Sequence, residues 1–180
     1  MKWKKISSEY LSKHPYFTAR KDTCIRPGGQ LVEAYYVVEL PPSVCVMAIT
    51  DQNEVLLVKQ YRHPIEETLI ELPGGFIDKD EDPVHAAARE LREETGYSFS
   101  NFIYLGKTAA NPGLLNNFTW LYLATDGKKT GEQKLDPDEE IEILTLSIEE
   151  VKKMMEKNLF IQSMHTLCLY YGFEKFRLLK

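Results

Sequence analysis

The sequence predicts an α/β fold with a mixed β-sheet packed between helices. Three observations lead to this prediction. Runs rich in β-branched and aromatic residues alternate with turn residues between residues 43 and 146. One well-signalled helix interrupts these runs, and two more helical patterns follow them. A separate pair of strand-like runs precedes them, so we expect an N-terminal β-hairpin module at 1–42 and a main domain at 43–180.

Composition and charge limit the possible functions. The chain has 180 residues and a net charge of −5, which argues against a nucleic-acid-binding surface. Its longest apolar run is too short to span a bilayer, and its basic start lacks the apolar stretch of a signal peptide. The three cysteines form no CxxC pair, which argues against a zinc ribbon or a disulfide framework. We therefore expect a cytoplasmic protein that binds neither nucleic acid nor membrane.

The predicted strands are bounded by turn residues. Runs 16–26 and 31–40 flank the turn Pro27-Gly28-Gly29-Gln30 and form the hairpin, which Pro41-Pro42 ends. In the main domain, Asp51-Gln52-Asn53 makes the tight connection between the first two strands. The strands predicted there cover residues 43–50, 54–61, 69–72, 102–108, 118–124 and 141–146, with a polar loop at 127–134.

The first helix of the main domain is defined at both ends. Asp82 can cap its N terminus, Pro83 suits the first helical position, and Gly96 suits the C-terminal stop. The residues expected to bury one face of this helix against the sheet are Val84, Ala87, Ala88 and Leu91. Two further helices are predicted at 148–157 and 163–171, the first capped by Ser147 with Glu150.

The most informative segment is 75–97, which reads GFIDKDEDPVHAAARELREETGY. Glu90, Glu93 and Glu94 are spaced i, i+3 and i+4, so on a helix they project towards nearly one side. Carboxylates held that close repel one another unless a cation lies between them, and hard divalent cations such as Mg²⁺ take oxygen ligands. Glu90 and Glu94 also lie beside the apolar face, at the edge of a groove. The alternative is a solvated helix with a simple Arg89–Glu93 ion pair.

This segment resembles the signature of the Nudix hydrolases. The matching residues are Gly75, Glu81, Arg89, Glu90, Leu91, Glu93, Glu94 and Gly96. Tyr97 departs from the pattern, since the family usually has an aliphatic residue there. The resemblance implies a Nudix α/β/α sandwich and Mg²⁺- or Mn²⁺-dependent cleavage of a nucleoside diphosphate linked to another moiety. It implies Arg89 as the residue that orients the carboxylates and, as metal ligands, the Gly74 carbonyl, Glu90, Glu93 and Glu94.

Residues outside this segment resemble one branch of the family. Gln60-Tyr61-Arg62 and Glu71-Leu72-Pro73-Gly74-Gly75 are similar to a pattern of the ADP-ribose pyrophosphatases and nucleoside-diphosphate-sugar hydrolases, where alanine often replaces Gly74. The resemblance implies that Arg62 approaches the phosphates, for which a guanidinium is well suited. The substrate-binding set that we predict is Arg62, Glu71, Phe76, Pro112 and Gly113. Asn116-Asn117 stand where ADP-ribose enzymes commonly have an acidic residue, which leaves the sugar open.

A second acidic segment, Asp136-Pro137-Asp138-Glu139-Glu140-Ile141-Glu142, resembles the loop that supplies the general base in the same branch. The resemblance implies Glu139 in this role, with Glu140 as the alternative. Together with Glu93 and Arg89 these residues form the predicted catalytic set. A solvated acidic loop is the alternative interpretation.

The N-terminal module is expected to support a homodimer. In this branch such a segment exchanges between subunits and contributes to the partner's nucleotide site. The aromatic residues that could stack on a base are Trp3, Tyr16, Phe17 and Tyr36, with core packing as the alternative role.

The sequence therefore predicts an ADP-ribose or nucleotide-sugar pyrophosphohydrolase. The alternatives are a preference for GDP-mannose or another nucleotide sugar, and a non-catalytic sensor module.

Overall fold

The computed structural model describes residues 1–14, 17–137 and 139–179. Tyr16 and Asp138, which the sequence singled out, lie outside the described residues. The chain forms two compact units. The first contains Met1–Pro41 and Ala109–Phe118, and the second contains Pro42–Thr108 and Thr119–Lys180.

The first unit is built on a three-stranded antiparallel sheet. Its strands, in spatial order, are β1 (Lys4–His14), β2 (Phe17–Ile25) and β3 (Leu31–Glu39). The predicted hairpin is confirmed as β2 and β3, and Gly29 adopts a φ of 84° in the turn between them. The strand β1 was not predicted, because its polar sequence KKISSEYLSKH lies almost wholly exposed and lacks the alternation of a half-buried strand.

A segment distant in sequence completes the first unit. The Val38 N–H donates to the Leu114 carbonyl at 2.9 Å, and the Asn116 side chain accepts the Leu40 N–H at 3.0 Å. The Asn117 amide donates to the Pro41 carbonyl at 3.0 Å. Asn116 and Asn117 therefore hold Leu40 and Pro41, which follow the end of β3.

The second unit is an α/β sandwich, as predicted. Its seven-stranded mixed sheet has the central order β10-β5-β4-β9-β7, with β6 paired to β5 and β8 paired to β9. The pairing of β4 with β9 is parallel. The strands are β4 (Ser43–Thr50), β5 (Glu54–Arg62), β6 (Glu67–Glu71), β7 (Tyr97–Ser98), β8 (Asn101–Thr108), β9 (Thr119–Lys129) and β10 (Ile141–Ser147). The helices are α1 (Pro83–Thr95), α2 (Ile148–Glu156) and α3 (Ser163–Arg177).

Alternation along β4 divides the core of this unit between the two faces of the sheet. Cys45, Met47 and Ile49 pack in one cluster with residues of α2 and α3, including Val151 and Leu169. The intervening residues pack on the other face under α1, in a cluster that includes Val44, Val46, Ala48, Ala87 and Leu91. No helix among the residues that the structure describes is long and apolar enough to cross a membrane.

Several predicted elements differ in detail, and β6 covers Glu67–Glu71 where a strand at 69–72 was predicted. Strand β9 continues to Lys129, into the stretch predicted as a polar loop, because Lys128 and Lys129 pair with β7. Helix α3 extends to Arg177, and Gly172 within it packs closely against Met47. On α1, Ala86 is fully buried whereas Ala88 is only partly buried, so the apolar face is turned slightly from the predicted one.

Candidate functional site

Helix α1 begins and ends where the sequence predicts. The Asp82 carboxylate accepts the Val84 N–H at 3.0 Å, and Pro83 occupies the first helical position. Gly96 ends the helix with a φ of 72°, and its N–H donates to the Arg92 carbonyl at 2.9 Å. These local signals fix the register of the helix, and therefore the direction in which its acidic residues project.

The segment Pro73-Gly74-Gly75 lies against both β4 and α1. The Pro73 and Gly75 carbonyls accept N–H groups of β4 at 3.0 and 2.9 Å, respectively. The carbonyl of Gly74, between them, accepts no hydrogen bond from the described part of the chain. A Cβ added to Gly75 would lie 2.6 Å from the Glu90 carboxylate, so the backbone passes directly against that side chain.

Gly74 is required by the backbone found here. Its φ is 152°, and an added Cβ would lie 2.2 Å from the Val44 carbonyl oxygen. The alanine that the branch often has at this position would therefore not fit this conformation.

The carboxylates of Glu90 and Glu94 have little exposure to solvent. Burial raises the pKa of Glu94 to about 8, although its Oε2 accepts the Gly74 N–H at 2.9 Å. Burial likewise raises the pKa of Glu90 to about 7, against the opposing effect of Arg89. The negative charge of Glu94 is therefore costly, and that of Glu90 stays costly even beside Arg89.

Arg89 is the centre of an acidic network. Its guanidinium donates to Glu81 through Nε and Nη2, both at 3.0 Å, and to Glu90 and Glu93 through Nη1 at 2.9 and 3.0 Å. It also donates to the Phe76 carbonyl at 2.9 Å. These acidic partners raise the pKa of Arg89, and Arg89 lowers the pKa of Glu81. The simple Arg89–Glu93 ion pair is thus one part of a larger arrangement that ties α1 to the segment before it.

Arg62 and Glu71 form a bidentate pair across β5 and β6. Nε and Nη2 of Arg62 donate to the two carboxylate oxygens of Glu71 at 3.1 and 2.6 Å. Glu71 is only 1% exposed, whereas the Arg62 side chain is 42% exposed. Arg62 therefore neutralises a buried carboxylate and still has an accessible face.

This pair borders a cavity of about 400 Å³ in the second unit. Its remaining lining comes from Pro64, Ile65, Leu69, Ile161 and Gln162. Sequence reasoning identified Arg62 and Glu71 but missed the rest of the lining. Ile161 and Gln162 lie in the connection between α2 and α3, about 100 positions away in sequence, and no motif marks them.

His165 has a structural contact that the sequence did not reveal. Its Nδ1 accepts the Leu72 N–H at 2.8 Å, and burial lowers the pKa of the imidazole to about 4. The ring is therefore neutral near pH 7. It joins α3 to the chain between Glu71 and Gly74.

The acidic loop places Glu139 within electrostatic reach of the helix carboxylates. The Glu139 charge raises the pKa of both Glu90 and Glu94. Its Oε2 accepts the Asp136 N–H at 3.0 Å, and its own N–H donates to the Asp136 carbonyl at 3.0 Å. Glu140 is exposed. The role of either glutamate as the general base stays a prediction.

The other predicted contacts are more scattered. Phe76 belongs to the second unit and its side chain is 52% exposed. Pro112 and Gly113 belong to the first unit, where the Tyr35 hydroxyl donates to the Gly113 carbonyl at 3.2 Å. In the same unit Trp3 packs edge-on to Tyr35, with ring centres 6.0 Å apart. The substrate roles expected for these residues stay predictions.

The donor set fits a hard divalent cation. Glu94 is a buried carboxylate and Glu90 a partly buried one, and the Gly74 carbonyl beside them has no protein partner among the described residues. Glu93 is 37% exposed and bound to Arg89. No three acidic, histidine or cysteine side chains of the described ranges converge closely enough to surround an ion as they stand. Oxygen donors of the right kind for such a cation are therefore present, and two of these carboxylates, Glu90 and Glu93, are hydrogen-bonded to Arg89.

Two family models match the chain. A NUDIX domain matches residues 39–164, and a nucleoside diphosphate sugar hydrolase N-terminal domain matches residues 3–38. A solved structure described as an ADP compounds hydrolase superposes with a TM-score of 0.85 over 98% of this chain and 95% of its own, at 19% identity. That likeness shows the fold alone.

Several named proteins are similar in sequence. A methanol dehydrogenase activator of Bacillus methanolicus is 32% identical over 93% of this chain and 91% of its own length. ADP-ribose pyrophosphatases of Bacillus subtilis (strain 168) and Mycobacterium tuberculosis (strain ATCC 25618 / H37Rv) are 35% and 37% identical over 67% and 74% of this chain. The match spans 65% of the length of each of these two pyrophosphatases.

Proposed function

Because the chain belongs to the Nudix hydrolases, we propose that it cleaves ADP-ribose or a related nucleoside diphosphate sugar to a nucleoside monophosphate and a sugar phosphate. The observation that carries this proposal is the pair of carboxylates, buried Glu94 and partly buried Glu90, held against Gly74-Gly75. The ADP-ribose pyrophosphatases among its relatives support the choice of substrate class.

Mg²⁺, with Mn²⁺ as the alternative, is the cofactor in this proposal. Glu90, Glu94 and the Gly74 carbonyl would hold it, with Glu93 available for a second ion. When bound, such an ion neutralises diphosphate charge and lowers the pKa of a bound water. The raised pKa values of Glu90 and Glu94 support a cation here, because a positive charge would make their ionised forms favourable.

The side chains of the protein have distinct roles in this scheme. The exposed face of Arg62 binds a phosphate oxygen while Glu71 holds the guanidinium plane in place. Arg89 fixes the orientation of Glu90 and Glu93. Glu139 accepts a proton from the attacking water, with Glu140 as the alternative base.

We extend the proposal to a homodimer formed through the first unit. Its sheet exposes large apolar side chains, which is unfavourable for a surface in water. Those exposed by at least 38% include Trp3, Ile6, Tyr10, Leu11 and Phe17. Light scattering coupled to size-exclusion chromatography should give twice the chain mass, and a single-chain mass at micromolar concentration contradicts the dimer.

A cytoplasmic location is also proposed. All three cysteines, Cys24, Cys45 and Cys168, are free thiols. Free thiols persist in reducing compartments, whereas secreted proteins usually pair them. Fractionation of the native cell, followed by immunoblotting, tests this location.

A nucleotide-sugar panel tests the activity. Purified protein is incubated with ADP-ribose, ADP-glucose, GDP-mannose and UDP-glucose, and phosphatase then converts the products to measurable phosphate. Turnover of ADP-ribose with Mg²⁺ and its loss with EDTA are the expected results. If GDP-mannose alone is turned over, it replaces ADP-ribose as the proposed substrate. Tight binding of a nucleotide sugar without any turnover supports the sensor alternative.

A second candidate function is activation of a methanol dehydrogenase. The relative from Bacillus methanolicus favours it, because the match covers 93% of this chain. Addition of wild-type protein and of Glu94→Gln to a dehydrogenase assay distinguishes two forms of this function. Activation lost with Glu94→Gln depends on hydrolysis, whereas activation retained by that variant depends on protein contact alone.

A further inference from the structure

The cavity beside Arg62 and Glu71 has the character of a ring-binding pocket. Its walls are mostly apolar and come from Pro64, Ile65, Leu69 and Ile161. Ile65 and Ile161 are 51% and 53% exposed, so they form an apolar rim open to a ligand. A volume of about 400 Å³ lies in the usual range for small-molecule sites, which combine apolar walls with a few polar groups.

Gln162, on the wall of this cavity, has an unusual side chain. It occupies the N-cap position of α3, yet its side chain makes no capping hydrogen bond. Serine, threonine, aspartate or asparagine normally performs that task. Only the backbone carbonyl of Gln162 bonds to the first turn of α3, where it accepts the N–H groups of His165 and Thr166 at 3.1 and 3.2 Å. The amide of the side chain therefore remains available for another contact.

The Gln162 oxygen is also an unpaired buried acceptor. Among the residues that the structure describes, Oε1 of Gln162 is the sole buried side-chain nitrogen or oxygen without a hydrogen-bond partner. A buried acceptor left unpaired destabilises the fold, and a methionine of similar length would fill the same space without that cost. The fold therefore gains nothing from the amide at this position.

We propose that Gln162 is a specificity-determining residue whose amide oxygen accepts a hydrogen bond from a ring of the substrate bound in this cavity. A half turn of the amide exchanges its oxygen and nitrogen, so either atom can face the ligand. The ring presents its faces to the apolar walls and an N–H or O–H group to Gln162. This inference rests on the proposed function, because the diphosphate bound by Arg62 delivers the ring.

Two parts of a nucleotide sugar have this chemistry. A nucleobase offers an amino or imino N–H at the edge of a flat ring, and glutamine pairs well with adenine in this way. The distal sugar offers hydroxyl groups around a smaller ring. In either case the cavity binds the ring attached to the phosphate that Arg62 contacts.

The test compares Gln162→Met with wild type on the best substrate of the panel. Loss of the acceptor should raise KM about 3- to 10-fold and leave kcat unchanged, as expected for one hydrogen bond to a bound ligand. The unfolding temperature should stay the same or rise. Gln52→Met is the matched control, because Gln52 is exposed in the turn between β4 and β5 and does not line the cavity.

Product inhibition identifies the ring. Weaker inhibition of Gln162→Met by the nucleoside monophosphate alone assigns the cavity to the base, and weaker inhibition by the sugar phosphate alone assigns it to the sugar. An unchanged KM with unchanged inhibition by both products overturns the inference. Absence of turnover in wild type instead overturns the proposed function, and calorimetric binding of the two products to wild type and Gln162→Met then decides the inference.

Discussion

Replacement of Glu94 by glutamine should abolish activity and at the same time stabilise the metal-free protein. The carboxylate is 5% exposed, and its oxygen accepts the Gly74 N–H at 2.9 Å. A glutamine has the same shape, and its carbonyl oxygen can accept the same hydrogen bond. The substitution therefore removes the negative charge and leaves the local packing intact.

The magnitude follows from the pKa of Glu94, which burial raises from an ordinary 4.5 to about 8. Between these values the folded protein holds a proton that the unfolded chain has released, so stability falls as pH rises. The contribution of this group is fully present below pH 4.5 and is lost as pH rises through about 8. At about 1.4 kcal/mol per pH unit, the wild type has lost about 3 kcal/mol by pH 7. Glu94→Gln does not titrate at this position and avoids that loss.

Urea unfolding in EDTA at pH 5 and at pH 7.5 measures the effect. We expect the stability advantage of Glu94→Gln to be about 4 kcal/mol at pH 7.5 and below about 1 kcal/mol at pH 5. Saturating Mg²⁺ should stabilise the wild type and reduce this advantage, because it binds only the folded state. Glu132→Gln is the control, since the Glu132 side chain is 91% exposed. A Glu94→Gln variant that is equally destabilised at both pH values would refute the reasoning.

Four other substitutions, two of them combined in one variant, test the surrounding contacts. Arg89→Lys cannot reproduce the fork of hydrogen bonds, so activity should fall at least tenfold and the free energy of unfolding by about 1–3 kcal/mol, measured by phosphate release and urea titration. Arg62→Ala leaves the Glu71 carboxylate buried and unpaired, which should cost about 3–5 kcal/mol. Adding Glu71→Gln should recover part of that stability but not the KM, and a full recovery of KM contradicts a phosphate contact. His165→Phe removes the acceptor of the Leu72 N–H, so hydrogen exchange at Leu72 should accelerate and stability should fall by about 1–3 kcal/mol; unchanged exchange contradicts the contact.

Features set by neighbouring residues were predictable from the sequence. The limits of α1 depend on Asp82, Pro83 and Gly96, all of which act within one turn of the helix. Strand β4 was predicted with its observed ends, because its residues are apolar and turn residues flank them. The apolar face of α1 followed from periodicity, apart from the small rotation that buries Ala86.

Features that depend on distant parts of the chain were not predictable. Strand β1 has no apolar pattern of its own and exists through its pairing with β2. The bond between His165 and Leu72 joins residues 93 positions apart, and the Gln162 wall of the cavity is similarly remote from Arg62. Sequence spacing placed the three glutamates on one side of a helix, but only the structure shows that Arg89 bonds to Glu90 and Glu93 and leaves Glu94 to the Gly74 N–H.

The first unit combines two separate stretches of the chain, and this limits how the protein can be shortened. Deletion of residues 1–41 removes the Val38 and Leu40 N–H groups that bind Leu114 and Asn116. The segment Ala109–Phe118, which is inserted between β8 and β9, would then lose its backbone partners while both of its ends stayed fixed in the sheet. Residues 1–41 therefore cannot be removed without disturbing the segment Ala109–Phe118. A truncated protein intended for crystallisation or for domain exchange should replace both stretches together, with a short turn between Thr108 and Thr119.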